Sequence, residues 1–518
     1  MNTAEALARG AELHRAGRLA EAEALYRAVL AQEPRNADAL HLLGLIAGAA
    51  GQTDAAVALI REAIRVMPSL APALYNLGRL LQNRGELADA EACYRRALAY
   101  QPENADAYNN LGGVLQAQGR DEEALSCYAS ALRVRPESAE ALSNMGTALQ
   151  QLGRSEEAVA LYHKALTLQP GYAQAHHNLG EALQDLHRPA EAIAAYEQAL
   201  KLQPDFGDAH CGLAFALLRQ GEMARGWKEY AWRFKRSDAP AQARTLPGEP
   251  WDGGDPAGRR ILIYGEQGFG DTIQFVRYAP LLAQRGAAVA VECQEPLARL
   301  FTSLRDVQVV FARGDPLPDF DSYAPVASLP GLCGTTLATI PAHTPYLHAN
   351  EVSRRRWRER IPPSEELRAG LVWSANPANQ QGRSRRSMEI AELAPVLELP
   401  GARFYSLQTG EAAKEAPQQV VDLAPELHDF ADTAAAIDQL DLVITVDTAV
   451  AHLAGALGRP VWVMLPYLAD WRWLADRDDS PWYPTMRLFR QPKWGDWRSV
   501  SLTVASALDR LCRASGTK

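Results

Sequence analysis

Cysteine is sparse and dispersed in this chain: Cys93, Cys127, Cys211, Cys293, Cys333 and Cys512 lie far apart, with no CxxC pair among them. That excludes a disulfide framework and a cysteine metal knuckle, and it fits a reducing compartment. No apolar run approaches the roughly twenty residues needed to cross a bilayer. The opening stretch, MNTAEALARGAELHRAG, has no apolar signal core. A cytoplasmic protein with no membrane insertion is the expectation. Positive charge is not in excess, since 53 Lys and Arg face 62 Asp and Glu for a net charge of −9. The broad basic surface used in nonspecific nucleic-acid binding is therefore missing. No DxD pair stands at a strand end, and Asp478-Asp479 sits in a polar stretch. Neither a metal nor a cofactor is expected.

What the chain does have is a beat. Gly10, Gly44, Gly78, Gly112, Gly146 and Gly180 recur every 34 residues, followed by Ala214. Twelve residues after each comes a second small residue, Ala22, Ala56, Ala90, Ala124, Ala158 and Ala192, with Gly226 last. Pro34, Pro68, Pro102, Pro136, Pro170 and Pro204 close the units. This period and punctuation identify a tetratricopeptide repeat, a helix–turn–helix unit that stacks into a superhelix with a concave face. The small residues mark where two helices cross closely. Tyr26, Tyr94, Tyr128, Tyr162, Tyr196 and Tyr230, with Ile60 as the exception, fall on the same helical face as the second small residue. About seven repeats fill residues 1–235.

Two residues before four of the repeat glycines stand Asn76, Asn110, Asn144 and Asn178, each followed six residues later by Gln82, Gln116, Gln150 or Gln184. Side-chain amides in one strip can donate to and accept from an extended peptide backbone. They can equally serve only neighbouring backbone. Ala8 and Leu42 occupy this phase in the first two repeats, which confines any such strip to the middle of the array.

Residues 236–258, rich in Pro, Gly and Ala, read as a linker. Short apolar runs then alternate with helical stretches: ILIYGE from Ile261, AVAVEC from Ala288, VQVVF from Val307, LRAGLVWSA from Leu367, ARFYSLQT from Ala402, LVITVD from Leu442 and VWVML from Val461. Such alternation indicates parallel, doubly wound sheets. Two α/β lobes, 259–350 and 366–512, are expected on either side of a helix at 351–365. Ligands in such sheets bind beyond the carboxyl ends of the strands.

Three junctions there carry chemistry. Gly265-Glu-Gln-Gly-Phe-Gly-Asp271 places Gly268 and Gly270 where backbone can turn beneath a ligand. Asp271 follows as either a helix cap or a catalytic carboxylate. The loop from Ser374 to Ser387 contains Arg383, Arg385 and Arg386, a residue type that suits a diphosphate. Asp447-Thr448-Ala449-Val450-Ala451-His452 ends a strand and opens a helix whose first amides can face a phosphate, with His452 one turn in. Gln408 ends its own strand at the same edge, where it can contact a nucleotide. Trp471 and Trp473 read either as stacking surfaces for a base or sugar or as packing between the lobes.

These segments together resemble the GT-B glycosyltransferases related to the lipopolysaccharide heptosyltransferases, over about 250 residues from Ile261. The resemblance implies a Rossmann-like two-lobed fold, with Asp271, after Gly270, as general base. Asp447, Thr448, Ala449 and His452 match the family's D-[ST]-G-x-x-H phosphate segment, with Ala449 in place of its glycine. The basic residue over the diphosphate falls at Arg385 or Arg386. The ending LPYLADWRWLADRDDSPWYPTMRLFRQ looks like a bacterial subgroup in which tetratricopeptide repeats precede this module. That subgroup includes protein glycosyltransferases, flagellin-modifying ones among them. The implied activity is metal-independent inverting transfer from a nucleotide sugar to a hydroxyl, an O-glycosylation of Ser or Thr on a protein held by the repeats. A glycan- or lipid-directed transferase and a non-catalytic repeat scaffold are the alternatives.

Overall fold

A computed structural model describes residues 2–239, 246–375 and 386–515. From Thr3–Arg15 to Met223–Tyr230, fourteen helices run in pairs. The first helix of a pair has 13 residues and the second 14, until the last is cut to eight. Side-chain caps start several of them: Asn2, Asn36, Asn104 and Ser138 each accept from the amide three residues on. A second glycine series on the same beat ends the first helix of most pairs. Gly17, Gly51, Gly85, Gly119, Gly153 and Gly221 have φ between 75° and 80°, where glycine is unstrained. His187, at φ 54°, fills the place in the sixth pair.

The first glycine series has a different cause. A Cβ on Gly78, Gly112 or Gly146 would lie 2.8, 2.6 or 2.8 Å from the ring of Tyr94, Tyr128 or Tyr162. Gly44 stands in the same way against Ile60. The rings are buried, and their hydroxyls donate to Gln82, Gln116 and Gln150 at 2.8, 2.5 and 2.8 Å. Glycine, tyrosine and glutamine thus form one device that ties the two helices of a unit.

The chain divides into two compact units, Met1–Glu191 and Ala192–Lys518. The division falls inside the Pro189–Leu202 helix, so the seventh helix pair belongs to the second unit. That unit contains two sheets in which every strand pair is parallel. The first comprises β1 (Glu249–Pro250), β2 (Arg260–Tyr264), β3 (Ala288–Cys293), β4 (Val309–Ala312) and β5 (Ser322–Pro325), in the order β1-β5-β2-β3-β4. The second comprises β6 (Leu367–Val372), β7 (Ala402–Ser406), β8 (Val421–Asp422), β9 (Leu442–Val446), β10 (Val461–Leu465) and β11 (Met486–Arg490), in the order β11-β10-β9-β6-β7-β8. Central strands such as β9 are buried throughout, as parallel strands covered on both faces must be.

The stretch read as a linker is partly structural. β1 lies within it and pairs with β5, and Trp251 is buried. β5, β8 and β11 are too short or too polar to stand out as apolar runs. The helical stretch after Asp271 breaks into Phe269–Phe275 and Tyr278–Gln284. The helix between the sheets covers Glu351–Arg360. Among the described residues no helix is long and apolar enough to cross a membrane.

Candidate active site

Strand order reverses between β2 and β5 in the first sheet and between β6 and β9 in the second. Loops that diverge at such points leave a crevice at the carboxyl ends of the strands. β2 leads into the Gly265–Asp271 segment, β6 into Ser374, and β9 into Asp447. The segments singled out in the sequence therefore follow strands that flank the two switch points.

Asp271 is the third residue of the Phe269–Phe275 helix, whose cap position is Gly268. Its carboxylate is directed at the second lobe, where Arg472 Nη2 donates to Asp271 Oδ1 at 2.5 Å. The Ala449–Ala456 helix packs close by. A Cβ on Gly270 would meet His452 Cδ2 at 2.9 Å and the Ala449 Cα at 3.5 Å. Gly270 is thus required by the approach of two helices, and Ala449 sits at the point of contact. Gly268 leaves room beside the carboxylate, since a Cβ there would stand 3.4 Å from Asp271 Oδ2.

His452 is buried, 3.0 Å by Nδ1 from the Tyr483 hydroxyl and stacked on Trp473 at 5.3 Å between centroids. Burial, reinforced by Arg472, Arg277 and Arg386, holds its pKa well below the usual value, so the ring is neutral. Thr448 stands at the cap position of the same helix, its hydroxyl turned instead to within 3.0 Å of that of Thr445. Asp447, 3% exposed, has its carboxyl pushed up by burial, with Arg386 opposing the shift.

The charged centre is larger than the sequence suggested. Arg386 lies 3.8 Å from Asp447 and 3.6 Å from Asp470. Arg472 lies 3.1 Å from Asp470, in addition to its bond with Asp271. Two guanidiniums and three carboxylates therefore share one crevice. Arg472 and Asp470 escaped the sequence reading although they belong to the D-W-R-W segment noted for its tryptophans. Trp471 and Trp473 are packing residues: Trp471 lies edge-on to Trp227 at 5.3 Å, and Trp473 lies under His452.

Gln408 is spent on backbone. Its Oε1 accepts from the Trp373 and Ser374 amides, and its Nε2 donates to the Ser374 and Thr409 carbonyls. It joins the ends of β6 and β7 and has no hand left for a nucleotide. Ser374 bonds Ser387 at 3.2 Å. Arg383 and Arg385 lie outside the described residues. Asp479 pairs with Arg477 at 2.6 Å.

In the first unit the asparagines stitch neighbouring repeats. Asn76 Nδ2 lies 3.0 Å from His41 Nε2. Asn110 donates to the Tyr75 hydroxyl at 3.2 Å, Asn144 to Asn109 Oδ1 at 3.0 Å, and Asn178 to the Ser143 hydroxyl at 3.4 Å. Each partner lies 35 residues earlier, one place before the asparagine position of the preceding repeat.

Residues 406–464, from β7 to β10, match glycosyltransferase family 9 (heptosyltransferase). The stretch includes Asp447, Thr448 and His452. Residues 2–218 match the cilia and flagella-associated protein 70 C-terminal domain, a tetratricopeptide-repeat domain. The chain thus carries a tetratricopeptide array and a glycosyltransferase-like α/β module. Protein FlbA of Caulobacter vibrioides is 30% identical over 329 residues, 57% of this chain and 54% of FlbA. The chain spans about half the length of that relative. YrrB, described as a repeat protein with an unusual peptide-binding site, is 22% identical over 36% of this chain and 95% of its own, with a TM-score of 0.32. TTC0263, a thermophilic repeat protein of Thermus thermophilus, is 28% identical over 35% and 99%, with a TM-score of 0.30.

Proposed function

We propose that the second unit transfers a sugar, with inversion, from a nucleoside-diphosphate donor to a hydroxyl, and that the repeats present a protein segment bearing that Ser or Thr. The observation that carries this reading is the meeting of Asp271 with Arg472 and Arg386 beside the start of the Ala449–Ala456 helix, at the switch points of two parallel sheets. The acceptor oxygen attacks the anomeric carbon and gives its proton to the Asp271 carboxylate. The bond from that carbon to the diphosphate oxygen breaks, and the nucleoside diphosphate leaves with the electron pair. Arg386, Arg472 and the amides after Thr448 take up the charge, so the reaction calls on no metal or cofactor. His452 is neutral and adds no charge; it packs the helix against Gly270 and Tyr483.

In the repeats, Asn76, Asn110, Asn144 and Asn178 each give an amide N–H to the preceding repeat, and Asn178 Oδ1 accepts from Gln174. Acceptor binding then falls to the remaining side-chain carbonyl and N–H groups of that strip, which suit the backbone of an extended, flagellin-like or other protein segment. Mass spectrometry of a co-purified acceptor tests the reading. Asp271→Asn should lower the yield of sugar adduct on the order of a hundredfold or more without weakening nucleotide binding. Unchanged modification would remove Asp271 from its role, and an adduct on lipid or glycan alone would redirect the activity.

A further inference from the structure

The geometry points to Asp470 as an internal stand-in for the donor diphosphate, occupying the fork of Arg386 and Arg472 until the nucleotide displaces it. One oxygen, Oδ2, stands 3.6 Å from Arg386 Nη2 and 3.1 Å from Arg472 Nη1. An anionic oxygen between two guanidiniums is the arrangement a phosphate oxygen adopts between paired arginines. The other oxygen, Oδ1, accepts from the Arg472 amide at 3.1 Å and caps the short Trp471–Trp473 turn. The carboxylate is thereby held at the fork by the backbone amide of the same arginine whose guanidinium it occupies.

Three further observations fit a displaceable ligand rather than a permanent structural pair. The Arg472 side chain is 7% exposed, and its Nε is buried without a partner among the described residues. A buried guanidinium that leaves a donor unused is under-satisfied. The Asp470 side chain at 15% and Arg386 at 33% are open to solvent on the other side of the fork. Finally, with every group ionised, three carboxylates outnumber two guanidiniums. A diphosphate can enter such a site only if one carboxylate gives way, and Asp470 is the one that neither stands in the base position nor is sealed inside. Because Arg472 is shared with Asp271, drawing it onto the diphosphate also loosens its hold on the base. Donor binding would therefore precede release of Asp271 for the acceptor proton.

This inference rests on the transferase reading, and the two fail differently. Calorimetric titration of the full chain with ADP, GDP, UDP and CDP, in wild type and in Asp470→Asn, Arg472→Lys and Arg472→Gln, separates them. Asparagine keeps the oxygen that caps Trp471–Trp473, so D470N preserves the turn while removing the competing charge. D470N should bind the preferred diphosphate about tenfold more tightly, and R472Q about 10- to 100-fold more weakly. R472K, which keeps the charge without the fork, should fall between them; if R472Q does not fold, R472K carries that arm. Weaker or unchanged binding by D470N, alongside measurable wild-type binding, overturns the stand-in role and leaves the transferase reading in place. If neither wild type nor D470N binds any of the four, both readings fall together.

Discussion

A histidine stacked on Trp473 and surrounded by Arg472, Arg277 and Arg386 has one comfortable ionisation state, the neutral one. The unfolded chain protonates His452 near pH 6.5, the folded chain only well below it. Its contribution to stability is complete above pH 6.5 and is lost as pH falls from there toward the lowered folded value, by up to about 1.4 kcal/mol per pH unit. Asp447 acts in the opposite sense, since its carboxyl is pushed up. The comparison that isolates the histidine is therefore wild type against His452→Asn, which keeps a hydrogen-bonding partner for Tyr483. Scanning calorimetry between pH 7 and pH 5 should show the melting temperature falling more steeply in wild type. Parallel slopes would mean that the imidazole is not held neutral. At this scale the sequence was a partial guide. Asp271, Thr448, Asp447 and His452 were legible because each ends a strand or opens a helix. Arg472 and Asp470 were not, because Arg472 meets Asp271 from another lobe and Asp470 meets Arg386 from a distant loop, neither close in sequence.

At the scale of elements, the repeat pairs are set by the contact between a glycine on one helix and a ring on the next. Gly112→Ala places a methyl 2.6 Å from the Tyr128 ring, which is fully buried and tied to Gln116. The ring has little room to retreat, so the substitution should cost about 1–3 kcal/mol, read as a lower denaturant midpoint for the first unit. The same change at Gly113, where a Cβ would meet nothing closer than 3.7 Å, is the control and should stabilise the helix by up to about 1 kcal/mol. The 34-residue beat revealed the glycine positions, while the reason for them depends on which side chain crosses above. The asparagine strip shows the limit of phase arguments. Equal spacing placed the four residues in line, but only the neighbouring repeat decided that their amide donors point along the stack.

For the molecule as a whole, the boundary between repeats and α/β fold does not follow the end of the repeat pattern. Trp227 Nε1 donates to the Thr335 carbonyl at 3.0 Å, and Tyr230 bonds Gln267. Arg233 donates to Glu266 Oε1 at 2.8 Å, with both side chains under 10% exposed. The seventh pair therefore holds the loop that leads to Asp271. A chain starting at residue 192 should fold, bind nucleotide and hydrolyse donor slowly, while losing modification of protein. A chain starting at 236 leaves Glu266 buried without its cation, a loss of about 3–5 kcal/mol, and should lose nucleotide binding together with its melting transition. Circular dichroism and nucleotide titration of the two truncations check this; equal behaviour would detach the seventh pair from the α/β fold.

Periodicity by itself determined the repeats and the alternation of strand and helix, since both follow from local geometry repeated along the chain. It also placed the candidate chemistry at strand ends, because parallel sheets bring their loops to one edge. Only the tertiary structure decided that the last repeat belongs with the α/β fold, that Gln408 is already spent, that the asparagines bind the neighbouring repeat, and that Asp470 lies in the arginine fork. Those outcomes turn on distances between residues far apart in sequence, and such distances exist only once buried surfaces have chosen their partners.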